Sequence, residues 1–277
     1  MTDTLTSFTR DDLVFDVIDQ GPREGEIVVL LHGFPQLNTS WKSVAAQLNT
    51  AGYRTIAPNQ RGYAEGARPR GRRPYKINEL VADIAELIDT VGSPVHLVGH
   101  DWGAVVAWAV AMQHPDKLTS LTAISVPHPS AFMKAMPKGQ FKDSWYMAAF
   151  NIPFLPERLL TNPKLANGIF ASKKGVLRSV ADDYIRDFAS NRDRIKGGLA
   201  YYRALPLTNP RSLTKVTVPT TYIWSDDDIA LGRAGAELCG DYVTADYRFE
   251  IIEGASHWLP DEEPERVANL ILERIRG

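Results

Sequence analysis

The hydrophobic positions along the chain change period several times, and each change marks an element. Leu13 to Ile18 alternates apolar with acidic residues, the pattern of a strand with one wet face, and Gly21-Pro22 closes it. Ile27 to Leu31 is an unbroken β-branched and leucine run, as expected of a strand buried on both faces of a parallel sheet. Ser40 to Leu48 has helical spacing, and Tyr53 to Ala57 is a further short strand ending at Pro58. Ile77, Leu80, Val81, Ile84, Leu87, Ile88 and Val91 fall at i, i+3, i+4, i+7, i+10, i+11 and i+14. That spacing predicts an amphipathic helix, which Gly92 ends before Pro94 opens the next strand. Val95 to Val98 is that strand, Ala104 to Met112 reads as a buried helix, and Leu118 to Val126 is a strand again. Helix, short turn, parallel strand in repetition predicts an α/β fold, a mostly parallel central sheet flanked by helices.

The alternation stops at Pro127-His128-Pro129. From Ser130 to about Ser212 no buried strand is legible. Aromatic residues, among them Phe132, Phe141, Tyr146, Phe150, Phe170, Tyr184 and Tyr202, lie in helical stretches broken by Pro153, Pro156, Pro163, Pro206 and Pro210. This composition predicts a helical lid, residues 130–212, inserted into a core formed by 1–129 and 213–277. The strand pattern resumes at Val218 to Trp224, followed by Ser225-Asp226-Asp227-Asp228, and a last strand spans Tyr247 to Ile252. Gly254-Ala255-Ser256-His257 is then a loop, and Pro264 to Arg276 a closing helix.

Composition narrows the possible partners. With 277 residues, 44% hydrophobic and 23% charged, the chain has the make-up of an ordinary globular protein. A net charge of -2 gives no reason to expect nucleic acid or a membrane surface as partner, so a small molecule is expected. No apolar run approaches the roughly 20 residues of a membrane span. The polar start, Met1 to Asp12, lacks the apolar stretch of a secretory signal. The lone Cys239, read as a core or near-surface thiol, excludes an internal disulfide framework, and a cytoplasmic location is expected. Gln60 to Pro74 carries Arg61, Arg68, Arg70, Arg72 and Arg73 against only Glu65, and reads as a solvated loop.

The candidate chemistry centres on Gly99-His100-Asp101-Trp102-Gly103, between an apolar strand and a small-residue helix. Strand, Gly-x-nucleophile-x-Gly, helix is the form of a nucleophile elbow, whose tight turn requires small flanking residues and exposes the central side chain. A serine there would suit acyl transfer. An aspartate is already ionised near neutral pH and can attack an electrophilic sp3 carbon directly, leaving an ester on the enzyme. His32-Gly33-Phe34-Pro35, after the second strand, places the Phe34 backbone N–H as one oxyanion donor, and Trp102 supplies the other. Asp101, an acid after Trp224, and His257 after the last strand follow the order nucleophile, acid, base. Each candidate lies at the C-terminal end of a strand, where open α/β sheets bind ligands. Of the six histidines, His257 is the expected general base, while His32 and His100 read as structural and His96, His114 and His128 as packing, capping or hinge residues. Among the three aspartates Asp228 has room to turn back towards His257, with Asp226 as the alternative.

Together, His-Gly-Phe-Pro, Gly-His-Asp-Trp-Gly, the late Asp and the final Gly-x-x-His resemble the epoxide hydrolase and haloalkane dehalogenase branch of the α/β-hydrolases, from about Leu13 to the C-terminus. The resemblance implies an α/β-hydrolase fold and an aspartyl-ester intermediate cleaved by a His-activated water. It also implies a cis peptide before Pro35. Epoxide hydrolases supply two lid tyrosines to the epoxide oxygen; Ser144-Trp145-Tyr146 and Gly197-Gly198-Leu199-Ala200-Tyr201-Tyr202-Arg203 are similar to those positions, which carries the donor role onto Tyr146 and Tyr202. The expectation is an epoxide hydrolase without metal or organic cofactor, acting on an apolar epoxide and water, as a monomer or homodimer. Trp102, Phe34 and Phe150 are expected to line its pocket. A haloalkane dehalogenase with the same triad is the alternative, although Phe34 stands where many of those enzymes have Asn. A catalytically idle sensor on the same fold is a third reading.

Overall fold

The computed structural model describes residues 4–92, 94–140, 144–162, 187–188, 190–208 and 213–277. Phe141, Phe170, Tyr184, Pro163, Pro210 and the Ser212 boundary lie outside the described residues. Eight strands form one sheet in the order β1-β2-β4-β3-β5-β6-β7-β8. They are β1 (Ser7–Arg10), β2 (Leu13–Gln20), β3 (Ile27–Leu31), β4 (Arg54–Pro58), β5 (Val95–His100), β6 (Leu118–Ile124), β7 (Thr220–Ser225) and β8 (Tyr247–Ile252). β3 to β8 run parallel, and β2 pairs antiparallel with both β1 and β4. The edge strand β1 is absent from the sequence reading, because Ser-Phe-Thr-Arg offers only one buried apolar residue, Phe8, to pattern recognition.

The unbroken apolar run of β3 is explained by burial on both faces. Val28 and Leu30 pack on one side with Val44 and Leu48 of α1 (Lys42–Thr50) and Val267 and Ile271 of α10 (Pro264–Arg276). Val29 and Leu31 pack on the other side, with α2 (Ile77–Val91) and α3 (Trp102–Gln113). α2 has the limits set by its period, and Gly92 ends it with φ 83° in the left-handed region that favours glycine. The described part of the insertion is helical, with α4 (Pro129–Ala135), α5 (Trp145–Ala149), α6 (Leu155–Leu160) and α7 (Arg192–Ala204). α8 (Arg233–Glu237) follows β7, and α9 (Leu259–Glu262) follows β8.

The arginine-rich loop corrects the sequence reading at Arg61. Rather than being solvated, Arg61 is buried and donates from Nε and Nη2 to both oxygens of Asp83 at 2.7 and 2.6 Å. Asp83 sits on the packed face of α2, so its carboxylate needs a cation beside it, and Arg10 supplies a second one at 2.9 Å. The Arg61 carbonyl in turn accepts from Tyr201 Oη at 2.8 Å, which ties α7 to the core.

Candidate active site

The β5–α3 turn is as tight as the glycine spacing requires. Asp101 has φ 52° and ψ -119°, a strained conformation for a residue with a Cβ. A Cβ on Gly99 would lie 2.3 Å from the Gly103 carbonyl oxygen, and one on Gly103 would lie 2.1 Å from that of Leu31. Neither neighbour tolerates a side chain, so the turn is available only to this pattern.

The sheet edge then assembles three loops. The Phe34 N–H donates to Asp101 Oδ1 at 2.7 Å, and the Phe34–Pro35 peptide is cis. Asp101 Oδ2 lies 3.6 Å from His257 Nε2, an ion-pair contact longer than a hydrogen bond. On the far side of the ring, His257 Nδ1 donates to Asp228 Oδ2 at 2.8 Å. The other oxygen of Asp228 accepts from the backbone of Ala230 and Leu231 at 2.8 and 3.0 Å, so the side chain is fully occupied and fully buried. Asp226 instead accepts from the Gly254 N–H at 2.7 Å, bracing the loop that carries His257. Trp102 is the first residue of α3, where backbone N–H groups have no intrahelical acceptor.

Charge distribution follows from this geometry. Burial works against the Asp101 carboxylate, but the charge of His257 3.6 Å away and the hydrogen bond from the Phe34 N–H outweigh it and hold its pKa below the usual range. Burial likewise works against a charged His257, yet Asp228 and Asp101 on either side raise it well above an ordinary imidazole. The resting pair is therefore carboxylate and imidazolium. His100 goes the other way: burial lowers it to about 4, and its neutral ring donates from Nε2 to the His257 carbonyl at 2.9 Å. Ser125 Oγ donates to the same carbonyl at 3.1 Å. His32 is also lowered to about 4 by burial and accepts the Gln60 N–H at 3.2 Å. His128 caps α4 by accepting the Ser130 N–H, and Cys239 is buried.

α5 and α7 bring aromatic rings to the cavity that Asp101 lines. Tyr202 packs edge-on against Trp102 at 5.0 Å and Phe34 at 5.4 Å between centroids; Tyr146 lies 6.2 Å from Tyr202 and 5.6 Å from Phe150. Burial, reinforced by the Asp101 charge, pushes both phenols well above their usual pKa and keeps them protonated. Two consecutive glycines let α7 come this close. A Cβ on Gly197 would lie 2.3 Å from the Gly62 carbonyl, and one on Gly198 2.9 Å from the Phe34 ring. Arg203, next to Tyr202, ties α7 to α6 and to the residue that follows α5. It donates to both Glu157 oxygens at 2.6 and 3.1 Å and to the Phe150 carbonyl at 3.0 Å. A cavity of about 120 Å³ is lined by Asp101, Trp102, Tyr146 and Tyr202, with Val105 and Phe132.

Asp101, His257, Asp228, Phe34, Trp102, Tyr146, Tyr202 and Phe150, all eight singled out in the sequence, thus meet at one place. Sequence reasoning missed Val105, Phe132, Leu205 and Leu231 in the pocket wall, and the Glu157 partner of Arg203. Their spacing carries no signal, since they converge only through tertiary packing. Among the described residues no group of three or more His, Cys, Asp or Glu is placed to hold a metal ion, and no helix is long and apolar enough to cross a membrane.

An eight-stranded, mostly parallel sheet with a strained acid at the β5–α3 turn, followed by an acid and a histidine on later loops, defines an α/β hydrolase. The sequence matches the alpha/beta hydrolase fold family over residues 26–264. It is 33% identical to Epoxide hydrolase 2 of Caenorhabditis elegans, over 93% of this chain and 76% of that protein. Identity to human Epoxide hydrolase 4 is also 33%, over 94% of this chain and 75% of that protein. Among solved structures, Epoxide Hydrolase A from Mycobacterium thermoresistibile superposes with a TM-score of 0.84 at 27% identity, covering 98% of this chain and 97% of that one. The chain belongs to the epoxide hydrolase family of α/β hydrolases, and it is a hydrolase.

Proposed function

We propose that the protein opens an apolar epoxide to a vicinal diol through an ester on Asp101, beneath a lid formed by residues 130–212. The observation that carries this reading is the split environment of the Asp101 carboxylate. Oδ1 is held by the Phe34 N–H, while Oδ2 faces His257, and Asp101 lines the cavity. Oδ2 attacks an epoxide carbon, the C–O bond breaks, and Tyr146 and Tyr202 hold and protonate the leaving oxygen. An alkoxide is about as basic as hydroxide, so a phenol that is protonated at rest remains a competent acid towards it.

Ester formation removes the negative charge that had raised both the two phenols and His257. The tyrosine gives its proton to the leaving alkoxide, and the His257 imidazolium passes its own, through solvent, to the phenolate so formed, which restores the phenol and leaves a neutral His257 as base. Asp228 keeps the ring oriented with Nε2 towards the ester. His257 takes a proton from water, and the resulting hydroxide adds to the ester carbonyl. The oxyanion forms on Oδ1, against the N–H groups of Phe34 and Trp102. Collapse releases the diol and restores the carboxylate.

Incubation of wild type and Asp101→Ala with aryl and alkyl epoxides, followed by mass spectrometry, tests this. Diol from the wild type alone is expected. Diol formed equally by Asp101→Ala would overturn it, and halide release from haloalkanes without diol would move the reading to a dehalogenase.

A further inference from the structure

Gln140, between α4 and α5, is buried, and both polar atoms of its side chain are engaged. Nε2 donates to Ser144 Oγ at 2.9 Å and to the Ala230 carbonyl at 2.7 Å, while Oε1 accepts the Gly232 N–H at 2.9 Å. An amide carries two donors on one atom and an acceptor on the other, so a side chain without one leaves at least one of these partners unmet. The partners belong to the two halves of the site. Ser144 stands immediately before α5, which carries Tyr146, and its carbonyl accepts the Met147 N–H at 3.0 Å. Ala230 and Gly232 flank Leu231 on the loop that carries Asp228. Asp228 Oδ1 takes the N–H groups of Ala230 and Leu231, and Trp224 Nε1 donates to the Leu231 carbonyl at 2.9 Å. Gln140 takes the two backbone groups that these contacts leave, the Ala230 carbonyl and the Gly232 N–H.

We propose that Gln140 is a positioning residue that fixes Tyr146 and Asp228 relative to one another, so that one amide sets the geometry of both chemical steps. The proposal rests on the reading of Asp101 as the attacking group, Tyr146 as a proton donor and Asp228 as the acid that orients His257. Ala230 carries the coupling on the acid side. Its carbonyl is held by Gln140 and its N–H holds Asp228 Oδ1, whose other oxygen accepts from His257 Nδ1 at 2.8 Å. Ile229, beside it, is exposed, so the loop there depends on its backbone partners rather than on packing. On the other side the Ser144 hydroxyl fixes the start of α5, and Tyr146 and Leu231 face each other's surroundings as walls of the Asp101 cavity. Removal of the amide strips a partner from three groups, and the loop and α5 then settle separately. A displacement of about 1 Å is enough to slow an aligned reaction by about 10²-fold.

The test is the single turnover of an aryl epoxide by wild type, Gln140→Met and Gln140→Glu. Rapid-quench mass spectrometry of the intact protein reads opening from the rise of the enzyme ester and hydrolysis from its decay. Met is close to Gln in volume and removes all three bonds; an ionised Glu keeps only the acceptor for Gly232, and it serves if the Met variant does not fold. Both steps are expected to slow by at least about fivefold in the folded enzyme. A merely structural role is separated by double variants. Added to Asp228→Asn, the Gln140 change should slow hydrolysis by no more than about twofold further, and added to Tyr146→Phe it should do no more to opening, because the group it positions is gone. Slowing of either step by less than fivefold in the folded variant, or undiminished slowing in those two backgrounds, overturns the proposal. Two readouts need no turnover: the low-field proton resonance of His257 Nδ1, which Asp228 holds, and amide exchange in α5. If no epoxide reacts with the wild type, the Asp101 reading fails. A shifted or broadened resonance together with faster α5 exchange in the Gln140 variant still establishes the coupling, and either one unchanged removes it.

Discussion

Asp228→Asn isolates one half of the charge balance around His257. The 2.8 Å contact with Asp228 corresponds to an attraction of ~6 kcal/mol at an effective dielectric of about 20, and the 3.6 Å contact with Asp101 to ~5 kcal/mol. Esterification of Asp101 removes the second contribution, which lowers the His257 pKa by roughly three pH units and frees it to act as a base. Asp228 remains, and it stabilises the imidazolium that forms as water is deprotonated. An Asn in its place keeps the shape and can still accept the Ala230 and Leu231 N–H groups, but presents an amide N–H to His257 Nδ1. The ring must then carry its proton on Nε2 and cannot accept one from water. Ester hydrolysis should slow by about 10³- to 10⁴-fold, the upper figure being set by the ~6 kcal/mol attraction. Alkylation, which needs the Asp101 carboxylate and the two phenols but no base at His257, should slow far less. Rapid-quench mass spectrometry of the intact protein is the assay, with an adduct of one substrate mass accumulating to near one equivalent. Equal slowing of both steps, or a hydrolysis rate within tenfold of wild type, would refute the reasoning.

Other perturbations probe the remaining parts of the site. Tyr146→Phe or Tyr202→Phe should each slow epoxide opening by about 10- to 10³-fold, and the double variant by more, as pre-steady-state alkylation rates will report. Glu157→Gln removes the bidentate partner of Arg203 and should lower stability by about 2 kcal/mol in urea denaturation, with kcat falling as Tyr146 and Tyr202 lose their common brace. Because the folded-state pKa of His257 is raised to about 10, its ion pairs stabilise the fold fully below the unfolded value near 6.5 and lose that contribution as pH rises through about 10. Urea midpoints between pH 6.5 and 10 should therefore fall more steeply for wild type than for His257→Gln. Asp101 behaves in the opposite sense: its depressed pKa keeps alkylation competent as pH falls through the ordinary carboxylate range, with loss only below it.

Regular elements were legible where one physical signal dominated. The limits of α2 and of β3 follow from period and continuous burial, and the elbow from a steric requirement that Gly99 and Gly103 alone satisfy. Chain order placed Asp101, Asp228 and His257 at strand ends, and loop length favoured Asp228 over Asp226 before any contact was visible. Pairings between remote segments were not legible. Arg61 looked like part of a solvated run because its partner Asp83 lies on a helix face whose period is otherwise apolar. The reach of Arg203 to Glu157 and the close approach of Gly197 to Gly62 are likewise properties of packing.

The central claim is that Asp101, and not water, makes the first bond to the substrate. A single turnover in H₂¹⁸O with enzyme in excess over epoxide tests it directly, by mass spectrometry of the diol and of the peptide containing Asp101. The account requires diol free of ¹⁸O and one ¹⁸O atom in the Asp101 carboxylate, because water attacks the ester carbonyl and the diol takes its new oxygen from the enzyme. Diol carrying ¹⁸O in that first turnover, with an unlabelled Asp101, would mean direct attack by water and would contradict the covalent route.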